Sequence, residues 1–245
     1  MGEAPGPLGA NRTGYPFWGD DCGLKLYELV MKLGLLDEPF VPWKRGADLS
    51  DIRPPAGRYA ITNACPQMPV RDDGQFCAPE RLRLDAEAPR LLDEIRMLQP
   101  RVVLACGKAA TYTLSRSTLL DGSAPPPLLA KGFTRIRLLD AIDALTGQKA
   151  AGDWQIGGAL VLVTTHPARG NWEPSKRSGK LHAAVLARLE REIASKAMRF
   201  DTPQHSDPTW PEQEGGRLEV DFDGNVTPDV QSHAGNTASR GGTNL

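Results

Sequence analysis

Residues 91–107 read Leu-Leu-Asp-Glu-Ile-Arg-Met-Leu-Gln-Pro-Arg-Val-Val-Leu-Ala-Cys-Gly. Leu91, Leu92, Ile95 and Leu98 recur at the spacing of one helix face, and the helix must stop before Pro100, which cannot continue it. Val102 to Ala105 follow as a short aliphatic run, the composition of a strand buried on both faces. Gly107 then marks a turn. Helix, buried strand and glycine turn in immediate succession are the signature of an α/β sheet.

The same grammar extends in both directions. Tyr59 to Ala64 and Leu160 to Val163 are two more short runs that read as strands. A helix is expected from about Gly179 to Met198, with Leu181, Val185, Leu189 and Ile193 on one face, and another near Asp21 carrying Leu24, Leu26, Leu29, Val30 and Leu33. Pro125 to Pro127 mark a loop. Helices between parallel strands predict an α/β fold, a three-layer α/β/α sandwich around a short central parallel sheet. Sites in such sheets form where loops leave the carboxyl ends of strands, and both Asn63 and His166 follow an apolar run directly.

The chain has 245 residues, enough for one well-buried domain and an appendage. Residues 1–199 are expected to be the folded body and 200–245, rich in Gly, Ser, Thr, Asn, Asp and Pro, a mostly disordered tail. Net charge is −1, unevenly spread. From Phe200 onward eight acidic residues face only Arg217 and Arg240, giving −6, and the 27 basic and 22 acidic residues before it give +5. A basic body is compatible with a phosphate backbone as partner without requiring one. No run approaches a membrane span and no export signal precedes the body, so a cytoplasmic protein is expected. The four cysteines, Cys22, Cys65, Cys77 and Cys106, form no Cys-x-x-Cys pair and are expected to stay reduced.

Three segments carry residues suited to chemistry: Gly2-Glu3-Ala4-Pro5-Gly6, Thr13-Gly14-Tyr15-Pro16-Phe17-Trp18-Gly19 and Thr165-His166-Pro167. Glycines let a backbone approach a ligand, and Glu3 adds a carboxylate that could orient a water or face a cation. Gly107-Lys108 is not a phosphate loop, because the upstream glycine is missing and Ala109 stands where Ser or Thr is required.

In their order and wording these segments resemble the uracil-DNA glycosylase superfamily, closest to its iron-sulfur, thermophile-type branch. Ile61-Thr62-Asn63 is similar to the family's strand-end Thr-Asn, and the resemblance covers roughly residues 2 to 195. It implies a monofunctional glycosylase acting on DNA, expected here as a monomer; no cofactor and no metal are expected, for the reason given below. Cleaving an N-glycosidic bond builds positive charge on the sugar and negative charge on the departing base, so such a site needs a carboxylate near one and a hydrogen-bond donor near the other. By resemblance Glu3 and His166 take these roles, Phe17 with Ala4 and Asn63 binds the extruded base, and Tyr15 or Trp18 lies beside the stacking ring. An asparagine amide can read uracil or, flipped, cytosine, so Asn63 leaves the base open. The loop after His166 would meet DNA through Arg169, Asn171, Lys176, Arg177 and Lys180, with Trp172 as a wedge. No lysine is placed for a lyase step.

Some features depart from that branch. Its first motif follows a cysteine pair and a strand, and here Gly2 is preceded by Met1 alone, so either the sheet starts one strand short or the numbered Met1 is not the natural beginning. Cys65 and Cys77 stand near the other two ligand positions, but a cluster needs four thiolates, and none is expected. Ala168 replaces a serine, and Pro66 to Pro79 and Ser115 to Trp154 follow no family pattern. Unfamiliar loops around a base pocket would suit a bulkier base than uracil, such as the hydroxymethylated or glucosylated cytosines of phage DNA.

Overall fold

The computed structural model describes residues 1–195 except 8, 45, 130, 131, 147–152 and 169, together with 218–220 and 226–228. Along the chain run α1 (Ala10–Thr13), α2 (Asp21–Lys32), α3 (Arg81–Leu98), β1 (Val102–Cys106), α4 (Lys108–Leu120), a 3-10 turn (Phe133–Arg135), α5 (Leu138–Thr146), β2 (Gln155–Ile156), β3 (Ala159–Thr164), α6 (Arg177–Ala194), β4 (Leu218–Val220) and β5 (Val226–Pro228). The helix expected before Pro100 is α3, which ends at Leu98 with Gln99 left-handed as its cap (φ 45°). The helix expected over 179–198 starts two residues earlier, at Arg177, and ends at Ala194; Met198 lies outside the described residues.

The body's sheet has the order β1-β3-β2. β1 and β3 pair in parallel, Val102 opposite Leu160 through Cys106 opposite Thr164, and every residue of β3 is buried. β2 returns antiparallel through Gly157 and Gly158, whose positive φ values of 54° and 80° suit a tight hairpin turn, so the sheet is mixed and not wholly parallel as expected. Helical layers pack around it: α4 lies against β1 and β2 and packs along α3, and α5 and α6 lie against β3. Leu91, Ile95, Leu114, Leu162 and Val185 are among the side chains that fill the resulting core.

The strand expected at Tyr59 to Ala64 shrinks to a single parallel bridge between Gly2 and Asn63. Its partner is the beginning of the described chain. Gly2 N–H donates to Thr62 O (2.8 Å) and Ala64 N–H to Gly2 O (2.9 Å), while on the opposite side the Met1 amine donates to Leu104 O and Cys106 N–H to Met1 O. Residues 1–3 thus link β1 to the Thr62–Cys65 segment. Just before the Tyr59 to Ala64 run the chain pairs elsewhere, Arg58 N–H donating to Leu35 O.

A second, aromatic core holds the Thr13–Gly19 segment. Trp18 meets Tyr27 and Trp43 edge-on, with centroids 4.9 and 4.7 Å apart, inside a cluster with Phe17, Leu26, Phe40 and Leu49. In the tail, β4 and β5 form an antiparallel pair, and the rest of 200–245 lies outside the described residues.

Candidate active site

Glu3 is set at the junction of the two parallel strands. Gly107, which follows β1, donates its N–H to Thr164 O at the end of β3, and its φ of 101° turns the chain into α4. One Glu3 oxygen accepts the N–H of Ala109 (3.0 Å) in the first turn of α4, where free backbone N–H groups attract a carboxylate. The carboxylate rests on Gly107: a Cβ there would come within 2.6 Å of Glu3 Oε1. The glycine turn read from sequence is therefore required both by conformation and by close approach.

Gly2 carries Phe17 and Asn63 on its own surface. A Cβ at Gly2 would meet the Phe17 ring at 2.4 Å and Asn63 Oδ1 at 2.5 Å, so ring and amide converge on a bare backbone. Phe17 holds φ at 63°, a left-handed conformation that costs a bulky residue on the order of 1–3 kcal/mol. Gly23 of α2 permits it, since any side chain there would run into Phe17 O. Asn63 is fastened from behind by Arg90 of α3, which donates to Asn63 O (2.8 Å) and is itself paired with Glu87 and Glu94.

His166 completes the group. Its ring stacks on Phe17 with centroids 5.6 Å apart and planes 25° from parallel. Burial pushes the imidazole below its ordinary pKa, against the upward pull of the Glu3 and Asp20 charges and with a further downward push from the Met1 amine. Both peptides that flank His166 are held: Trp172 Nε1 donates to Thr165 O (2.9 Å) and Asn171 Nδ2 to His166 O (2.9 Å). A neutral, half-buried imidazole, an anchored carboxylate, an aromatic platform and a buried amide thus share one end of the sheet, at the carboxyl ends of β1 and β3.

The sequence model of the Uracil DNA glycosylase superfamily matches residues 1–190. The chain belongs to the uracil-DNA glycosylase superfamily. No curated protein matches it.

Against that membership, the expected site residues fall into three groups. Glu3, Phe17, Asn63 and His166 come together. Ala4 packs its methyl against the main core, which leaves its backbone as the part that could meet a base. Of the residues expected to touch DNA, Arg169 lies outside the described set. Lys176 pairs with Glu173 (2.8 Å), Arg177 with Asp140 (3.0 Å), and Lys180 is exposed on the first turn of α6. Asn171 is turned inward onto His166 O. Trp172 departs most from its expected part as a wedge: its N–H is bonded and its face covers His182, with centroids 3.9 Å apart, so entering a duplex would break both contacts. A groove of about 450 Å³ lies behind this loop, lined by Lys25, Leu29, Trp172, His182 and Leu186 among others, and none of the four converging residues lines it.

Two residues of this superfamily member escaped the reading of its sequence. Asp20 is the N-cap of α2, accepting Gly23 N–H at 2.7 Å. Its other oxygen lies against Gly9, within 2.8 Å of where a Cβ would stand, and its charge acts on His166. Burial raises the Asp20 carboxyl pKa, opposed by the Gly23 N–H and the His166 charge, and then by the Cys22 N–H. Arg90 reads as an ordinary solvated helix residue, and nothing local says that it reaches Asn63. The four cysteines are all free, and among the described residues no group of three or more His, Cys, Asp or Glu could share a metal ion. Likewise no described helix is long and apolar enough to cross a membrane.

Proposed function

We propose that the protein is a monofunctional DNA glycosylase that hydrolyses the N-glycosidic bond of an extruded uracil or other modified base and leaves an abasic site. The observation that carries this reading is the convergence of Glu3, Gly2, Phe17, Asn63 and His166 at one end of the sheet. The base leaves the helix and stacks on Phe17 while the Asn63 amide meets its edge. Water adds to C1′ and the C1′–N electron pair departs with the base. Glu3 orients that water or faces the cationic sugar, and neutral His166 donates a hydrogen bond to the base oxygen that gathers charge. The water's proton ends on the released base, directly or through solvent. Lys176, Arg177 and Lys180, at the start of α6, are available to phosphates once their surface pairs open, which costs little. The acting species is a monomer of residues 1–199 in the cytoplasm, with 200–245 as an acidic appendage.

The base itself belongs to this proposal. An amide reads uracil and cytosine edges alike, so hydroxymethylated or glucosylated cytosines of phage DNA are the second reading, which would make the enzyme antiviral. One experiment tests both. DNAs carrying uracil, hypoxanthine, hydroxymethylcytosine or glucosylated hydroxymethylcytosine are incubated with the protein, and any released base is identified by mass. Release of uracil supports the first reading and release of a modified cytosine the second. Binding without release from any of them would make the protein a modified-DNA-binding module and end the catalytic proposal.

A further inference from the structure

The structure assigns to His182 the part of a positioning residue that holds the His166 loop in register, an inference that rests on the glycosylase reading above. His182 lies on α6, 16 positions from His166 in sequence, and is buried. It touches two things. Its Nδ1 is hydrogen-bonded to the hydroxyl of Thr164 (2.8 Å), the last residue of β3, and its ring is covered by Trp172 at 3.9 Å with planes only 11° apart.

Those contacts close a ring through the site. Thr164 ends the strand, Thr165 and His166 follow, and Trp172 returns over His182 to donate its N–H to Thr165 O. Asn171, beside Trp172, donates to His166 O. The two peptide planes on either side of the His166 Cα are therefore fixed by neighbouring side chains of one loop, and the platform on which that loop rests is the His182 ring. With both planes fixed, the imidazole has only its own side-chain torsions left, and packing on Phe17 sets those. Pro167, which follows, removes one more backbone freedom.

A histidine serves here where a phenylalanine would not, because the ring must stack and accept or donate at once. Burial lowers its pKa to about 4, so the ring is uncharged at neutral pH and can lie under an indole without a charge to desolvate. An arrangement of this kind matters to rate because a catalytic group displaced by about 1 Å can cost on the order of 100-fold in turnover.

The experiment compares the full-length protein with its His182→Ala, His182→Phe and Thr164→Val variants, each alone and combined with His166→Ala. Expected for His182→Ala is a fall in kcat of about tenfold or more with KM within about twofold, since His182 itself is buried and the phosphate contacts proposed for Lys176, Arg177 and Lys180 are made by other side chains. His182→Phe, which keeps the stack, and Thr164→Val, which keeps the volume, should each lose less. In the His166→Ala background none of the three should lower the residual rate further, because their effect passes through His166. A second readout needs no substrate: the His166 imidazole, which faces Glu3, Asp20, the Met1 amine and the Phe17 ring, is titrated by NMR. Its midpoint should move upward in His182→Ala as the loosened loop admits water. Additive losses in the double variants, or an unmoved His166 titration in a folded His182→Ala protein, would overturn the assignment. Absence of base release by the wild-type protein would sink the glycosylase reading alone, because the titration still decides the positioning role.

Discussion

Glu3 lies on the bare Cα of Gly107, its carboxylate accepting the N–H of Ala109 two residues further on. A residue near the start of the numbered chain and a turn more than a hundred residues later make one element of the candidate site. Gly107→Ala should therefore fail twice, through a Cβ 2.6 Å from Glu3 Oε1 and through a φ of 101° that alanine resists. The expected outcome is a loss of base release of about 100-fold or more and a melting temperature lower by several degrees. Base-release rates and calorimetry check it, and a fully active variant would remove Glu3 from its proposed place.

Glu3→Gln and His166→Ala test chemistry more than structure. The side-chain amide oxygen that Glu3→Gln introduces can still accept the Ala109 N–H, and His166 is only half-buried, so both proteins should fold. Each should slow single-turnover base release by about two to four orders of magnitude while DNA affinity, followed by fluorescence anisotropy, stays within a few-fold.

Asp20→Asn isolates one charge. An asparagine caps α2 as well as an aspartate does, so stability should change by less than about 1 kcal/mol. The Asp20 charge favours the protonated imidazole of His166, so its removal should lower the His166 pKa further below the ordinary value. If the neutral ring is the working form, the acid limb of the rate profile moves to lower pH. A limb that moves to higher pH would contradict it.

His182 predicts a pH dependence of stability. Its folded pKa, about 4, lies below the ordinary 6.5, so between these values the unfolded chain binds a proton that the folded one does not. Stability then rises with pH across that window, and acidification from pH 6.5 toward 4 should progressively destabilise the fold. The ring's charged surroundings, Lys25, Glu28, Lys32 and Glu173 around the groove, carry both signs. Urea unfolding at a series of pH values should show a shallower dependence for His182→Phe than for the wild type.

Much of this was legible in the sequence. The α3 face of Leu91, Leu92 and Ile95 and the wholly buried β3 follow from side-chain periodicity, which depends on near neighbours alone. The order of Gly-Glu-Ala-Pro-Gly, Pro-Phe-Trp-Gly, Thr-Asn and Thr-His-Pro likewise named Glu3, Phe17, Asn63 and His166 and the superfamily that the match over residues 1–190 shows. These are properties of composition, order and spacing, and the chain carries them before it folds.

Tertiary structure decided the rest. It reduced the run Tyr59 to Ala64 to a single bridge, Gly2 opposite Asn63, flanked by the hydrogen bonds to Thr62 O and from Ala64 N–H. It also turned Asp20 from a helix cap into a charge beside His166, brought Arg90 behind Asn63, and folded Trp172 inward onto His182. Each of these contacts joins elements whose separation in sequence leaves no periodic trace. Whether a cap, a helix arginine or a loop tryptophan faces solvent or a site depends on which surface packs against it, and only the completed fold supplies that surface.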